Sequence, residues 1–185
     1  MLTRKLPVNI EIGALKYPIN SDFRALISFE LTMQDNRLTD SERVDRALRL
    51  FYPTVPIMDK AEAVDKLLWF YRCGKEIKEN SSNGKAIYSY EHDADYIFDA
   101  FLSQYHIDLT EIEYLHWWKF KAMFSGLQDC KFVEIMGYRA MKIDPKMSRS
   151  QRDFYRKMKR LYALPDTRSE EQKEIDMINT FIGMF

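Results

Sequence analysis

Hydrophobic residues near the start of the chain recur at every second position. They alternate with polar residues on both sides of Gly13-Ala14: Val8, Ile10, Ile12, Leu15, Tyr17 and Ile19. A period of two is typical of strands, and a short connection containing glycine is typical of a hairpin. The pattern therefore predicts a β-hairpin over about residues 7–19. Two strands alone are marginal in water, so the hairpin must pack on a larger body.

After the hairpin, the apolar spacing changes to the three-to-four-residue period of amphipathic helices. The first helix is predicted to be capped by Asn20 or Ser21 and to run to about Gln34. The next ends before Pro53, since proline cannot continue a helix. A third is capped by Asp59 and ends near Cys73-Gly74. Further helices are predicted over about Glu91–Tyr105, over Lys131–Met136 with Gly137 as the stop, and over residues 170–185 at the C-terminus.

Four short motifs have the capping-box pattern, in which a hydroxyl accepts a backbone N–H three residues on and a Glu or Gln reaches back. They are Thr39-Asp-Ser-Glu42, Thr110-Glu-Ile-Glu113, Ser148-Arg-Ser-Gln151 and Ser169-Glu-Glu-Gln172. Each precedes an apolar stripe at helical spacing. The segment after Thr110 is apolar around much of its circumference, which predicts a central, mostly buried helix.

These elements predict a mostly α fold: a multi-helix globular bundle with a short N-terminal β-hairpin, in one domain spanning residues 1–185. A polar stretch over about residues 75–88 contains Asn80-Ser-Ser-Asn-Gly84 and predicts a surface loop. A boundary between two subdomains at this loop is the alternative. One domain is preferred because each half is too small to bury much apolar surface alone.

Composition argues against several classes of function. Lys plus Arg and Asp plus Glu number 28 each, and this zero net charge argues against a protein that coats nucleic acid or an anionic membrane. No apolar run reaches the roughly 18 residues of a membrane-spanning helix. Phosphate loops, nucleophile elbows and paired-His zinc motifs do not occur, so we expect no enzyme and no cofactor. Cys73 and Cys130 match no metal spacing and predict reduced thiols.

Two clusters could carry chemistry. Glu91-His92-Asp93 is followed by Asp95 and Asp99 on one helix face, which would suit a divalent cation or an acid/base pair. The favoured interpretation is structural, because acids in a first helical turn complement the helix dipole. His116 beside Trp117-Trp118 could hold a sugar or a cofactor, but such residues more often fill a core.

Charge is unevenly distributed along the chain. Glu91–Glu113 contains seven acids and no Lys or Arg, whereas Lys146–Arg160 contains seven basic residues and a single acid, Asp153. The basic helix is a solvated face or a protein-binding face, and nucleic acid is disfavoured because Phe154 belongs to its apolar stripe. The acidic and basic segments could pair within one molecule, between copies or with a partner.

The C-terminus carries large apolar side chains where chains usually fray. This end either packs on the core or binds a groove of a partner. Together with the basic helix it gives the candidate partner-binding residues: Arg152, Arg156, Lys157, Arg160, Ile178, Phe181, Ile182 and Phe185.

Six sequence words, in this order, resemble the bacteriophage "gene product fifteen" family of Gram-positive phages and prophages. They are Tyr17-Pro-Ile-Asn-Ser-Asp-Phe-Arg24, Phe70-Tyr-Arg-Cys-Gly-Lys75, Tyr88-Ser-Tyr-Glu-His-Asp93 with Tyr96-Ile-Phe, Leu115-His-Trp-Trp-Lys-Phe120, Ile135-Met-Gly-Tyr-Arg139 and Tyr162-Ala-Leu-Pro165. The resemblance runs from about Lys5 to Pro165.

The resemblance implies a noncatalytic protein of tail morphogenesis in the bacterial host cytoplasm. The genes of this family usually lie between those of the major tail protein and the tape-measure protein, which implies a tail-assembly chaperone that binds one or both. A structural tail or adaptor protein retained in the virion is the alternative. A small metal-dependent enzyme built on the Glu91 cluster is more remote. Self-association is a further candidate interaction.

Overall fold

The structure, a computed structural model, describes residues 3, 5–56, 60–76 and 86–165. Two strands and seven helices lie within these residues: β1 (Asn9–Ile12), β2 (Leu15–Pro18), α1 (Phe23–Gln34), α2 (Asp40–Phe51), α3 (Lys60–Tyr71), α4 (Ala94–Tyr105), α5 (Trp117–Ser125), α6 (Lys131–Ala140) and α7 (Arg149–Leu161). The predicted mostly α class with an N-terminal hairpin is confirmed.

β1 and β2 form a two-stranded antiparallel sheet in which Asn9 lies opposite Pro18 and Ile12 opposite Leu15. The turn has Gly13 at φ +57°, a left-handed conformation that favours glycine. The Gly13 N–H donates to the Glu62 carboxylate of α3 at 3.0 Å. Ile10 points into the core, as the alternation predicts.

The cap of α1 differs from the prediction. Asp22 caps the helix, accepting the Arg24 N–H at 3.0 Å on one oxygen and the Leu115 N–H at 3.1 Å on the other. Ser21 instead hydrogen-bonds through its hydroxyl to Tyr114 at 2.7 Å. A carboxylate satisfies two donors here, one of them 93 residues away, which local spacing could not indicate.

Two of the predicted capping boxes are present. Thr39 and Glu42 open α2, and Ser148 and Gln151 open α7, with both reciprocal bonds formed in each. The predicted end of the third helix near Cys73-Gly74 is confirmed. The helix α3 ends at Tyr71, and both Cys73 and Gly74 have positive φ.

The predicted helix start at Thr110 is wrong. Asp108 accepts the Thr110 hydroxyl and the backbone N–H groups of Thr110 and Glu111, so the threonine acts as a donor and not as a cap. The carbonyls of Leu109 and Ile112 are bound by the Arg24 guanidinium. The helix therefore begins later, at Trp117, after a cap by His116.

The predicted stop at Gly137 is also wrong, because α6 continues through it to Ala140. Glycine inside a helix costs about 1 kcal/mol relative to alanine. Phe132 and Ile135, on the same helix, are fully buried and hold its apolar side against the other helices. This packing outweighs the local preference of glycine.

The core centres on α5, which confirms the predicted central helix over a shorter span. Phe120 is fully buried and its ring lies 4.9 Å from that of Phe23 and 5.0 Å from that of Phe101. It thus joins α1, α4 and α5 in one aromatic stack. Trp117 and Trp118 donate their indole N–H groups to the carbonyls that end α3, each at 2.8 Å.

The N-terminal residues are joined to the start of α5 across a long sequence separation. The Phe23 N–H donates to Leu115 O at 2.9 Å, and the Trp117 N–H donates to Ser21 O at 2.8 Å. His116 contacts Pro7 O through its Nε2 at 3.0 Å. These bonds fix the hairpin and α1 against the middle of the chain.

Several predictions fall on residues outside those described: the Asp59 cap, the Ser169 capping box, most of the loop over 75–88 and the helix over 170–185. The one-domain prediction stays a prediction. Within the described ranges, no helix is both long and apolar enough to cross a membrane. Cys73 and Cys130 are free thiols, as predicted.

Candidate partner-binding surface

α7 is a peripheral helix with no buried side chain. Its apolar stripe is about half exposed: Phe154 is 47% exposed and Leu161 63% exposed, while Met158 is half-buried. Beside this stripe, Arg156, Lys157 and Arg160 are exposed. The helix therefore presents apolar area and positive charge together. We refer to these five exposed side chains as the α7 surface.

The fourth predicted cation of this helix has a structural contact as well. Arg152 is half-buried and donates to Pro145 O at 2.7 Å, which holds the turn before α7. Asp153, the only acid on α7, lies 3.2 Å from Arg156 and 3.9 Å from Arg149. Exposed pairs of this kind contribute little to stability, so the net positive charge of the surface stays available to a partner.

A buried ion pair fixes α6, the helix that precedes α7, to the turn before α4. Arg139 donates to both carboxylate oxygens of Asp93, at 2.6 and 2.8 Å, and the side chain of Asp93 is 1% exposed. The same guanidinium donates to Tyr162 O at 2.6 Å and to Ile87 O at 3.1 Å. Arg139 thus joins α6, the turn before α4 and the end of α7.

Further contacts hold the C-terminal end of α7 on α6. The Lys159 ammonium donates to Arg139 O at 2.8 Å and to Met141 O at 2.7 Å. The rings of Tyr138 and Tyr162 stack at 5.9 Å. The Tyr138 hydroxyl and the Lys131 ammonium donate to Glu134, which lowers the pKa of that carboxyl. We call the contacts of Asp93, Arg139, Lys159 and Tyr162 the latch.

The latch is the part of the site that sequence reasoning missed. The acids over Glu91–Asp99 were interpreted as complements to the helix dipole, and Asp95 and Asp99 are indeed exposed near the start of α4. Asp93 differs because it is buried and paired with Arg139. The signal was present as two separate sequence words, Glu-His-Asp93 and Gly-Tyr-Arg139, but no periodicity connects residues 46 positions apart.

The described residues give no support to a metal site at this cluster, since no group of three or more His, Cys, Asp or Glu among them could hold an ion. A groove of about 1040 Å³ lies beside the latch. Arg37, Arg46, Arg139 and Lys159 line it. Arg37 and Arg139 are held by Asp35 and Asp93. Neither guanidinium is therefore poised for an anionic ligand.

The acidic and basic segments do not pair within the described part of one molecule. The salt bridges found there join Asp93 to Arg139, which lies outside Lys146–Arg160, and leave Asp95 and Asp99 without a basic partner. The α7 surface is consequently not neutralised by the acidic segment. The other four predicted partner-binding residues, Ile178, Phe181, Ile182 and Phe185, lie outside the described residues and remain a prediction.

The second candidate cluster is part of the core. His116 is buried and caps α5: its Nδ1 accepts the Trp118 N–H at 3.0 Å, so the proton lies on Nε2, which contacts Pro7 O. The Trp117 and Trp118 indoles are satisfied by backbone carbonyls. The structural interpretation of this cluster therefore agrees with the geometry.

Acid is expected to destabilise the protein through His116. Burial lowers the pKa of its imidazole, and protonation of Nδ1 would remove the acceptor for the Trp118 N–H. The unfolded chain then binds this proton at higher pH than the folded chain. The free energy of unfolding should therefore be highest above the unfolded pKa of about 6.5 and fall as the pH drops below it.

Urea unfolding of the protein and of His116→Asn, at several pH values on both sides of that pKa, tests this expectation. Asparagine keeps an acceptor at the cap, so the variant should show a flatter dependence on pH. His92→Asn, at an exposed histidine, is the matched control and should keep the slope. An unchanged slope in His116→Asn would contradict the expectation.

A comparison with known families finds that the model described as Bacteriophage Gp15 protein matches residues 2–164. Comparisons with curated proteins and with solved structures find no match. The matched span includes the core, the latch and α7, and covers far more than half of the chain. The family indicates a structural or morphogenesis role in phages. The chain therefore belongs to the Bacteriophage Gp15 protein family.

Proposed function

We propose that this chain is a noncatalytic tail-assembly chaperone, which binds the tape-measure protein, the major tail protein or both in the bacterial host cytoplasm. Family membership supports a role in morphogenesis. The observation that carries the proposal is the α7 surface, a cationic helix whose apolar stripe is half exposed. A chaperone needs such a surface, because its client must be held reversibly and then released.

The spacing on α7 suits a helical client. Phe154 and Leu161 lie seven residues apart on one side of the helix, and Met158 lies between them. An amphipathic helix can pack its own apolar stripe along such a row. The flanking Arg156, Lys157 and Arg160 favour a client with acidic residues beside its stripe, since complementary charge speeds encounter and fixes register. The four C-terminal apolar residues are proposed to extend this surface.

The latch has a supporting role in this proposal. An exposed helix with no buried side chain would fray if only its own residues held it. Arg139 of α6 binds Tyr162 O at the end of α7, and Lys159 of α7 binds Arg139 O and Met141 O in return. The α7 surface is therefore presented in a fixed position, which lowers the entropy lost when a client binds.

Reversing the charge of the α7 surface is expected to weaken client binding. The variant carries Arg156→Glu, Lys157→Glu and Arg160→Glu. Its binding is measured to the tape-measure protein and to the major tail protein encoded beside this chain. In a co-expression pulldown followed by titration, affinity should fall at least about tenfold. For the unaltered protein, affinity should also fall as salt rises.

The matched control reverses three cations that are also exposed but lie on other helices, Arg46, Arg49 and Lys119. It should leave affinity within about twofold at equal net charge. Equal loss in both variants, or affinity that is flat with salt, would contradict a docking role of α7.

Mass spectrometry of purified virions separates the chaperone proposal from its alternative. A chaperone is absent from finished particles, whereas a structural tail or adaptor protein is retained.

A further inference from the structure

The outer edge of β1 offers unpaired backbone groups. Ile19 donates its N–H to Val8 O at 3.1 Å, which identifies Val8 and Ile19 as a hydrogen-bonded pair of the antiparallel ladder. Pairs of this kind alternate with non-hydrogen-bonded ones. Asn9, opposite Pro18, and Glu11, opposite Lys16, are therefore the pairs whose N–H and C=O groups point away from the hairpin.

Within the described part of the chain, no hydrogen bond is made by the backbone of Asn9 or Glu11. The strand thus presents two donors and two acceptors in a row along its free edge. Strand edges of this kind are usually covered or blocked, since they are templates for another strand. The other edge of the same hairpin is interrupted, because Pro18 faces outward and has no N–H, so Lys16 alone keeps an outward N–H on β2.

A groove lies along β1 and not along β2. It has a volume of about 810 Å³, and its first wall is the consecutive run Leu6–Glu11, whereas β2 contributes only Lys16. The second wall is one side of α3, with Glu62, Asp65, Lys66 and Trp69. These positions have the i, i+3, i+4, i+7 spacing of a single helix face. The groove thus has a strand edge on one side and one side of a helix on the other.

We propose that the groove between β1 and α3 binds an extended segment of a partner protein, which adds to the hairpin as a third strand. Main-chain hydrogen bonds to Asn9 and Glu11 would supply the register, as in other cases of strand addition. This surface is separate from the α7 surface, and the inference does not depend on the proposed chaperone function.

The side chains of the groove define the chemistry of the segment. Cross-strand neighbours on one face of a sheet interact most strongly. On one face the added strand would lie next to Ile10 and Trp69, which is 39% exposed, and there it requires apolar residues. On the other face it would lie next to Glu11, which pairs with Lys16 at 3.5 Å in an exposed ion pair. Three acids and two lysines line the groove, so basic residues fit best on that face. The partner segment is therefore expected to alternate apolar and basic side chains.

The test is a selection from a displayed library of random nine-residue peptides against the full chain, followed by titration of the enriched peptides as synthetic probes. We expect enrichment of alternating apolar and basic residues. Glu11→Pro removes the outward N–H without breaking a backbone hydrogen bond of the hairpin, although it also removes the exposed ion pair with Lys16. Affinity should fall at least about tenfold. Lys16→Pro is the matched control, because it makes the same change at the paired position of the opposite edge.

Four further measurements separate backbone pairing from charge and from misfolding. Glu11→Gln should keep most of the affinity, and thermal unfolding should show that both proline variants remain folded. N-methylation of alternate residues of the probe should abolish binding for one set of positions and spare it for the other. In the free protein the amides of Asn9 and Glu11 should exchange rapidly with solvent, and the bound probe should protect them.

Three results would overturn the proposal. The first is the absence of any enriched peptide. The second is binding that survives Glu11→Pro or responds equally to Lys16→Pro. The third is a concentration-dependent dimer of the chain that Glu11→Pro abolishes while no peptide binds, which would assign the edge to a second copy of this chain.

Discussion

Replacing Arg139 by alanine is expected to lower the free energy of unfolding by about 3–5 kcal/mol, the usual cost of removing one member of a buried ion pair. The Asp93 carboxylate, 1% exposed, would be left without its guanidinium partner. The carbonyls of Ile87 and Tyr162 would lose their donor as well. Leaving the buried Asp93 carboxylate without this partner is costly because water cannot reach it, whereas water can replace the bond of the exposed Ile87 carbonyl.

Chemical denaturation of the variant measures this loss, and Arg156→Ala is the matched control. Arg156 pairs with Asp153 at the surface, where its side chain is 60% exposed, so its removal should cost less than about 1 kcal/mol. Arg139→Lys should be intermediate, since an ammonium cannot make the two parallel bonds of the guanidinium. Amide exchange in α7 should accelerate most in Arg139→Ala. Equal stability of the two alanine variants would contradict the role assigned to the latch.

Replacing Phe120 by alanine is the second large effect, expected to lower the free energy of unfolding by about 3–5 kcal/mol. The ring is fully buried and stacks on Phe23, Phe101 and Trp117, with centroids at 4.9, 5.0 and 5.7 Å. These neighbours belong to three different helices, so they cannot all move into the space that alanine leaves. The loss should therefore include both the transfer of the ring and the cavity.

Phe154→Ala makes the same change on α7 and serves as the control. Its ring is 47% exposed, and the loss should stay below about 1 kcal/mol. Urea unfolding at neutral pH gives both values. A small loss in Phe120→Ala, similar to that in Phe154→Ala, would mean that the stack relaxes around the cavity.

Features of the fold with short-range causes could be predicted from the sequence. The hairpin followed from alternation over a dozen residues. The capping boxes at Thr39 and Ser148 followed from side chains three positions apart. The free cysteines followed from the absence of any ligand spacing. In each of these cases the partners are close along the chain, or none is required.

Features with long-range or competing causes could not be predicted. Thr110 has the right spacing for a cap, but its hydroxyl donates to the Asp108 carboxylate and does not cap a helix. Glycine often ends a helix, but at Gly137 the burial of Phe132 and Ile135 keeps α6 intact. The buried pair of Asp93 and Arg139 spans 46 positions without a shared period. Charge counting gave the basic helix but could not indicate how that helix is held.

The bonds between the N-terminal residues and the start of α5 have a consequence for synthesis of the chain. The Phe23 N–H can donate to Leu115 O only after Leu115 has been synthesised. Likewise, Pro7 O can contact His116 only after a further 109 residues have been added. Ribosomes add about 5–20 residues per second, so this delay lasts on the order of 5–20 s. During that interval the hairpin lacks its bonds to the start of α5 and is held by earlier elements, such as α3 through the bond from Gly13 to Glu62. The first element to emerge thus completes its tertiary hydrogen bonds only after more than half of the chain has been made.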